Sequence, residues 1–235
     1  IHHLLKKESN NQRIKFMLIK TKNFKKVFPF NFKYSKNKKN YGILISDRIQ
    51  ADANLRSLIL TNIIKEKYNC NAYLVSDVSD KKNIPVYNNL DIKNFSINLK
   101  LKNVKYFFIL LDSFFDLLVF YFKTLFVDDK INWLIKNFKC KKIKIGDLVY
   151  DIYIRYDLKF FNPSIYEIKF FKLLLIGILK THFIDYLVKK NNIKFIVSTQ
   201  MSFTSYGNLV SRYGTKFKLK TFTTAYNFIK KFNSH

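Results

Sequence analysis

Glycine and proline are scarce in this chain, which has five and three of them among 235 residues. That scarcity excludes collagen-like repeats and low-complexity segments rich in these two residues. Hydrophobic residues make up 48% of the chain and aromatic residues 17%, so the chain has enough apolar surface to form a packed core. The length suits one large domain or two small ones.

Cysteine and histidine are also rare. The two cysteines, Cys70 and Cys140, give no disulfide framework, and we expect each to pack as a small apolar residue in a reducing compartment. The histidines are His2, His3, His182 and His235; apart from the adjacent His2 and His3 they lie far apart, and they lack carboxylates at ligand spacing, so no metal site is predicted. We interpret His182 as a partly exposed helix residue in preference to a general base.

Arginine is the third scarcity. Only five of the 43 basic residues are Arg, although the formal charge reaches +27. Arg makes the bidentate contacts to phosphate and guanine that nucleic-acid-binding proteins use, so no nucleic-acid partner is predicted. Lys, Asn, Ile, Phe and Tyr share A/T-rich codons and are in surplus together, which favours a genome bias as the source of the lysines. An anionic membrane surface or an anionic substrate is the next interpretation.

Residues 1–40 form a basic, weakly patterned N-terminal extension. They lack the charged, apolar and small-residue order of a secretory leader. The chain begins with Ile1 and ends abruptly at His235, so we expect it to be a piece of a longer protein. We expect a cytoplasmic location with peripheral contact to the inner membrane.

The stretch from Tyr41 to Asp77 predicts the fold class. Ile43–Ile45 is a short apolar run, apolar residues then recur at helical spacing over 55–63, and Ala72–Val75 has the pattern of a second strand. A helical crossover between short apolar strands is typical of a parallel pair. We therefore predict an α/β fold with a Rossmann-like parallel sheet flanked by helices over residues 41–235.

The turn at Ser46–Asp52 follows the first predicted strand, where ligands of open parallel sheets bind. It contains no glycine, so it is not a dinucleotide-binding fingerprint, and no cofactor is predicted.

Further strands are predicted at 91–99, 141–145, 194–198 and 217–222. Ser164 with Glu167, after Asn162-Pro163, predicts the start of a long helix. A helix beginning at Leu209 is expected to stop at Gly214.

The segment from Lys105 to Phe126 is long and apolar enough to suggest a membrane span. Asp112 and Asp116 lie four residues apart and share one helix face, and each central Asp costs roughly 2.5–3.5 kcal/mol in a bilayer. An aqueous edge on a buried or membrane-apposed helix is the preferred interpretation, with a spanning helix as the alternative.

Gly146–Tyr156 fits two interpretations. As a strand, its alternate residues are apolar or aromatic. As a helix, Asp147 caps it, and Asp147, Asp151 and Arg155 line one face, with Asp151–Arg155 an ordinary ion pair. Periodicity does not decide between them, but the Gly-Asp start and the preceding apolar strand favour the helix.

Two segments carry a resemblance to a known family. They are KIGDLVYDIYIRY at 144–156 and ISDRIQADANLRSLILTNIIKEKY at 45–68. A third similar segment consists of a predicted strand, a polar loop with Tyr206-Gly207, and a helix bearing Arg212. Together they resemble the N-terminal half of bacterial surface or capsule polysaccharide biosynthesis proteins, which are glycosyltransferase-like and similar to the two-domain GT-B architecture.

The resemblance implies that this chain is the acceptor-side domain of a glycosyltransferase. The acceptor would be a saccharide or a lipid-linked sugar, and a nucleotide-sugar donor would bind a second domain outside this chain. By position at strand ends, Asp47 or Asp147 is the candidate catalytic base. The candidate substrate-binding residues are Arg48, Asp151, Arg155, Gln200, Tyr206 and Arg212. Gln200 stands where such enzymes often present a His, which weakens the case for a base in that loop.

The competing interpretation is a non-catalytic, basic Rossmann-like module that associates with membrane or polysaccharide machinery. Fold alone does not separate the two, because one fold hosts many functions.

Overall fold

The computed structural model describes residues 41–46, 51–76, 92–96, 104–157, 164–198, 208–225 and 228–232. The N-terminal extension, the Asp47–Arg48 turn and the loop containing Gln200 and Tyr206 lie outside these residues. The described strands are β1 (Gly42–Ser46), β2 (Asn71–Ser76), β3 (Lys93–Ser96), β4 (Lys139–Cys140), β5 (Ile143–Lys144), β6 (Ile193–Ser198), β7 (Lys220–Ala225) and β8 (Phe228–Phe232). The described helices are α1 (Ala51–Tyr68), α2 (Val104–Thr124), α3 (Lys130–Asn137), α4 (Gly146–Asp157), α5 (Ile168–Lys190) and α6 (Asn208–Lys216).

One six-stranded sheet organises the molecule, in the order β3-β2-β1-β6-β7-β8. The first five strands of that order run parallel, and β8 pairs antiparallel with β7. The chain builds outward from β1 to β3 and then returns to the other side of β1 with β6. This is the doubly wound order of Rossmann-like folds, so the predicted α/β class is confirmed.

The sheet separates two apolar cores. Ile43 and Ile45 belong to the core under α1, whereas Leu44 belongs to the larger core on the opposite face. Successive side chains of a strand point to opposite faces, which explains this division along β1. Helices α2, α4, α5 and α6 cluster on the side of the larger core, and α5 packs against each of the other three.

The predicted helix at 105–126 is α2. No helix in the part of the chain that the structure describes combines the length and apolar character needed to cross a membrane. For the second ambiguous segment, the helical alternative is confirmed as α4.

The strand predicted at 141–145 is only partly correct. It is confined to β5, which pairs with β4 in a small antiparallel hairpin and does not enter the main sheet. The turn residues Lys141 and Lys142 have φ of 48° and 65°. A two-residue hairpin turn of this kind needs positive φ at both central positions, usually supplied by Asn or Gly. Two lysines there carry no such sequence signal.

Two helix boundaries also differ from the predictions. Helix α5 begins at Ile168, because Ser164 instead accepts a hydrogen bond from the Tyr166 backbone N–H in a local turn. Helix α6 continues through Gly214 to Lys216. The hydrogen of Gly214 faces Thr221 and Ile196 of the sheet, so this glycine allows close packing and does not stop the helix.

Candidate functional site

A buried polar cluster joins α2, the β4–β5 hairpin and α5. His182 Nε2 lies 2.8 Å from Oδ2 of Asp116, and the Cys140 thiol donates a hydrogen bond to the same oxygen at 3.3 Å. His182 is 4% exposed and Cys140 2% exposed, while the Asp116 side chain keeps 40% of its surface in solvent. We refer to these three residues as the Asp116–Cys140–His182 cluster.

The pattern of α2 explains why the cluster forms at this point. Asp112 and Asp116 project from the same face of a largely apolar helix toward His182 of α5, and Asp116 is the one within hydrogen-bond distance. Asp112 Oδ2 lies 3.9 Å from His182 Nδ1, on the other side of the ring from Asp116. The imidazole is therefore flanked by two carboxylates.

The environment sets the protonation of the cluster. The hydrogen bond from His182 lowers the pKa of Asp116 and outweighs burial, which acts in the opposite direction. Burial, and then the charge of Asp116, raise the pKa of the Cys140 thiol far above its ordinary value. The thiol is therefore protonated at neutral pH and donates a hydrogen bond to Asp116. Cys140 is not an activated nucleophile.

A second polar group lies one helical turn further along α5. Asp185 accepts hydrogen bonds of 2.7 Å from the Tyr213 hydroxyl on α6 and from Lys189 Nζ. Burial, reinforced by Asp185, raises the pKa of Tyr213, so its hydroxyl stays protonated and donates to the carboxylate. This pair ties α6 to α5 beside the cluster.

A cleft of about 500 Å³ opens beside these two groups. Its lining residues come from α2, the hairpin and α5, and they are Lys105, Ile109, Asp112, Lys141, His182, Asp185, Tyr186, Lys189 and Lys190. Four of them are lysines and two are aspartates. The cleft therefore offers ammonium groups to an anionic ligand, next to one face of the buried imidazole.

The structure brings two of the predicted site residues together. Arg212 of α6 binds Asp147 of α4 through two parallel contacts, Nη1–Oδ1 at 2.7 Å and Nη2–Oδ2 at 2.8 Å, and Nη1 also donates to the Lys144 carbonyl. Burial raises the pKa of Asp147, but the hydrogen bond and charge of Arg212 outweigh it and hold that pKa below its usual value. The Asp147 carboxylate is therefore a weaker base than an unpaired aspartate.

Asp151 and Arg155 form the expected ion pair along α4, with Arg155 Nε 3.2 Å from Asp151 Oδ1. They do not contact Asp147 or Arg212 through any hydrogen bond described in the structure. Of the other predicted site residues, Asp47, Arg48, Gln200 and Tyr206 lie outside the described residues.

The carboxyl edge of the sheet is the place where ligands of doubly wound folds bind, at the point where strand order reverses. That point lies between β1 and β6, whose last residues, Ser46 and Ser198, are register partners. Ser198 is buried and accepts a hydrogen bond from Ser211 of α6 at 3.2 Å. Next along the edge, the buried Thr223 hydroxyl has no hydrogen-bond partner within the described part of the chain.

Sequence reasoning missed the Asp116–Cys140–His182 cluster, and the prediction that His182 is partly exposed is wrong. Asp116 and Cys140 are 24 residues apart, and Asp116 and His182 are 66 apart, so no local spacing marks them. One signal was present. Two aspartates on one face of an apolar helix need polar partners when that face packs inside a protein.

Comparisons of this chain with protein-family models, with curated proteins and with solved structures find no significant match.

Proposed function

We propose that this chain is the acceptor-side, N-terminal domain of a glycosyltransferase of bacterial surface polysaccharide biosynthesis. It would take part in transfer of a sugar from a nucleotide-sugar to a saccharide or lipid-linked acceptor. The observation that supports this most is the pairing of Ser46 with Ser198. The two segments that follow these residues carry the predicted site and leave neighbouring strands at the same edge of the sheet.

The proposed site follows from that pairing. Asp47 is the next residue after Ser46 and Gln200 is the second after Ser198. Because consecutive Cα atoms are about 3.8 Å apart, we expect both residues to lie near the switch point. A transferase needs a group there that orients the acceptor hydroxyl and accepts its proton.

The contacts of Asp147 and Arg212 refine the proposed roles. Arg212 already uses three of its five N–H donors on protein atoms, so at most two remain for an acceptor. Asp147 is paired and weakened as a base, which makes Asp47 the better candidate. Arg48 is then the leading group for an anionic acceptor, with Gln200 and Tyr206 as hydrogen-bonding residues from the second loop.

The test uses the complete product of the gene. Transfer from a panel of radiolabelled uridine-diphosphate sugars to a lipid extract of the source cells is measured for the unaltered protein, Arg48→Ala and Arg56→Ala. Arg56 is an exposed residue of α1 and serves as the matched control. We expect Arg48→Ala to lower transfer at least tenfold with an unchanged thermal midpoint, and Arg56→Ala to keep full transfer.

Equal transfer by Arg48→Ala and the unaltered protein would contradict the role of Arg48. Absence of transfer with every donor would contradict the transferase proposal itself.

A second candidate function, the membrane-associating module, is favoured by the outer surface of α2. Seven large apolar side chains of this helix are 47–65% exposed: Phe107, Phe108, Phe114, Phe115, Leu118, Val119 and Phe122. We call them the α2 aromatic face. Their spacing places them on one side of the helix, and they form a contiguous apolar strip that soluble monomers rarely leave uncovered.

The net charge of the chain indicates whether the α2 aromatic face binds a second copy or a lipid surface. The chain carries a formal charge of +27, so a second copy would meet like charge, whereas an anionic lipid surface is complementary. Lys105 and Lys123 lie near the two ends of α2, and both are exposed. An apolar strip with flanking lysines is typical of helices that lie in the plane of a membrane interface.

This candidate is tested by co-sedimentation with vesicles of phosphatidylcholine alone or mixed with phosphatidylglycerol. We expect binding to the anionic vesicles only, and at least a tenfold loss of binding in Phe115→Ser/Phe122→Ser. Ile63→Ser, an exposed apolar residue of α1, should bind as the unaltered protein does. Dimerisation in solution without vesicle binding would show that a second copy covers the face and would overturn the proposal.

A further inference from the structure

We propose that the Asp116–Cys140–His182 cluster binds a zinc-class divalent ion, with a fourth coordination position open to solvent beside the lysine-lined cleft. This site is independent of the proposed transferase site at the carboxyl edge of the sheet. It draws one ligand from each of three elements: α2, the β4–β5 hairpin and α5.

The positions of the three donor atoms fit a single small ion. One oxygen of Asp116, the sulfur of Cys140 and one ring nitrogen of His182 all lie within 4.8 Å of one another. Zinc ligands sit about 2.0–2.3 Å from the metal at tetrahedral angles, which separates neighbouring donor atoms by roughly 3–4 Å. The two contacts already formed, at 2.8 and 3.3 Å, are near that separation. Only small side-chain adjustments would be needed to admit an ion.

The donor set selects the kind of ion. A thiolate and an imidazole are ligands of zinc and related transition metals, whereas magnesium and calcium prefer oxygen donors throughout. Loading requires that Cys140 lose its thiol proton and that His182 Nε2 present its lone pair. The ion therefore takes the place of the protons that now hold the cluster together, and those protons are released to solvent.

Asp112 is placed to supply the supporting hydrogen bond that metal-bound histidines use, once it moves closer to the ring by less than about 1 Å. Its carboxylate lies on the Nδ1 side of His182, at 3.9 Å, while Nε2 faces Asp116. A carboxylate on the far nitrogen fixes the ring orientation and makes the imidazole a stronger ligand. Lys141 Nζ, 3.9 Å from Asp112, in turn approaches that carboxylate from the hairpin.

Three protein ligands leave one position of a tetrahedral ion open. Of the three ligands, His182 alone lines the cleft, and Asp116 keeps 40% of its side chain in solvent, so water reaches the cluster and can fill the open position. Structural zinc sites use four protein ligands, whereas sites that bind a water or a substrate use three. The cleft lining carries four lysines against two aspartates, and this net positive charge favours an anion, such as a phosphate, as the fourth ligand.

The experiment is a cobalt titration of the full chain, reduced and freed of metal by dialysis against a chelator. Cobalt(II) replaces zinc and gives a thiolate-to-metal absorption band only when a cysteine is a ligand. The chain provides matched controls, because Cys70 is also free and buried but lies in the core under α1. The variants are Cys140→Ser, Cys70→Ser and His2→Ala/His3→Ala, the last removing a histidine pair near the N-terminus.

We expect one equivalent of cobalt to give the thiolate band in the unaltered protein, in Cys70→Ser and in His2→Ala/His3→Ala. Added zinc should abolish the band, and Cys140→Ser should lack it. If Cys140→Ser fails to fold, Asp116→Asn replaces it, because this half-exposed side chain tolerates the change, and its cobalt affinity should fall at least tenfold.

Three results would overturn the proposal. They are a titration without any thiolate band, a band that survives Cys140→Ser, and a band that disappears in Cys70→Ser. Cobalt binding that is lost only in His2→Ala/His3→Ala would assign the metal to the terminal histidines and overturn the proposal equally.

Discussion

Arg212 and Asp147 face each other in a bidentate ion pair, with contacts of 2.7 and 2.8 Å between residues 65 positions apart in the chain. The same guanidinium donates to the Lys144 carbonyl, so one side chain joins α6, α4 and β5. Both partners are largely shielded from solvent, with side-chain exposures of 23% and 29%. The pair therefore holds α6, the helix that follows the switch-point strand β6, against α4.

We expect Arg212→Ala to lower the free energy of unfolding by about 1–3 kcal/mol, because it removes charge-assisted hydrogen bonds and leaves a part-buried carboxylate unpaired. Arg155→Ala is the matched control, since its pair with Asp151 is an exposed contact along one helix. Such pairs contribute only about 0.3–0.5 kcal/mol. Urea unfolding followed by circular dichroism measures both. Equal effects of the two substitutions would show that the Arg212 pair is no stronger than a surface pair.

The same pair makes stability depend on pH. The pKa of Asp147 in the folded chain lies below its unfolded value, so its contribution is complete above the unfolded pKa and is lost as pH falls through the folded pKa. The unfolded pKa is about 3.9. We expect the stability difference between the unaltered protein and Asp147→Asn to be constant from pH 7 to about pH 5 and to shrink below about pH 4. Urea midpoints across that range check this, and a difference that grows on acidification would contradict the sign.

The sequence was informative where pattern and contact are local. The short apolar runs and the helical spacing at 41–77 predict the strand-helix-strand unit, and β1 and β2 pair in parallel as expected. The Asp151–Arg155 pair follows from a four-residue step on one helix. In each case the pattern that decides the outcome lies within one continuous segment of the chain.

Features that depend on contacts between residues far apart in the chain could not be predicted from the sequence. The partial burial of Asp147 and its pairing with Arg212 depend on how α6 crosses α4. Likewise, the sequence predicts a partly exposed His182, because nothing near this residue in the chain indicates a carboxylate on another helix. The positive φ of Lys141 and Lys142, which turns the hairpin toward the cluster, has no signal in residue type.

The Tyr213–Asp185 contact provides a test of the α5–α6 packing. We expect Tyr213→Phe to cost about 1–3 kcal/mol of unfolding free energy, because it leaves one oxygen of a carboxylate that is 8% exposed without its donor. Tyr166→Phe is the control, since Tyr166 is 59% exposed. Urea unfolding of both variants is the measurement. A cost below about 0.5 kcal/mol for Tyr213→Phe would mean that water replaces the hydroxyl.

Gly146 opens α4 at a point where a side chain has no room. A Cβ there would meet the backbone carbonyl of Leu134 in α3, and backbone cannot move aside as a side chain can. At an open helix position, Gly→Ala stabilises by up to about 1 kcal/mol. Here we expect the opposite sign, a loss of about 2–3 kcal/mol or more, because the overlap forces α3 and α4 apart.

Gly214→Ala is the comparison for this prediction. Its Cβ would meet side-chain atoms of Thr221 and Ile196 and not a backbone carbonyl, so the loss should be smaller than at Gly146. Thermal and urea unfolding of the two variants measure which substitution lowers the stability more. If Gly146→Ala were neutral or stabilising, α3 would not lie against the start of α4, and the packing that positions Asp147 opposite Arg212 would have to be different.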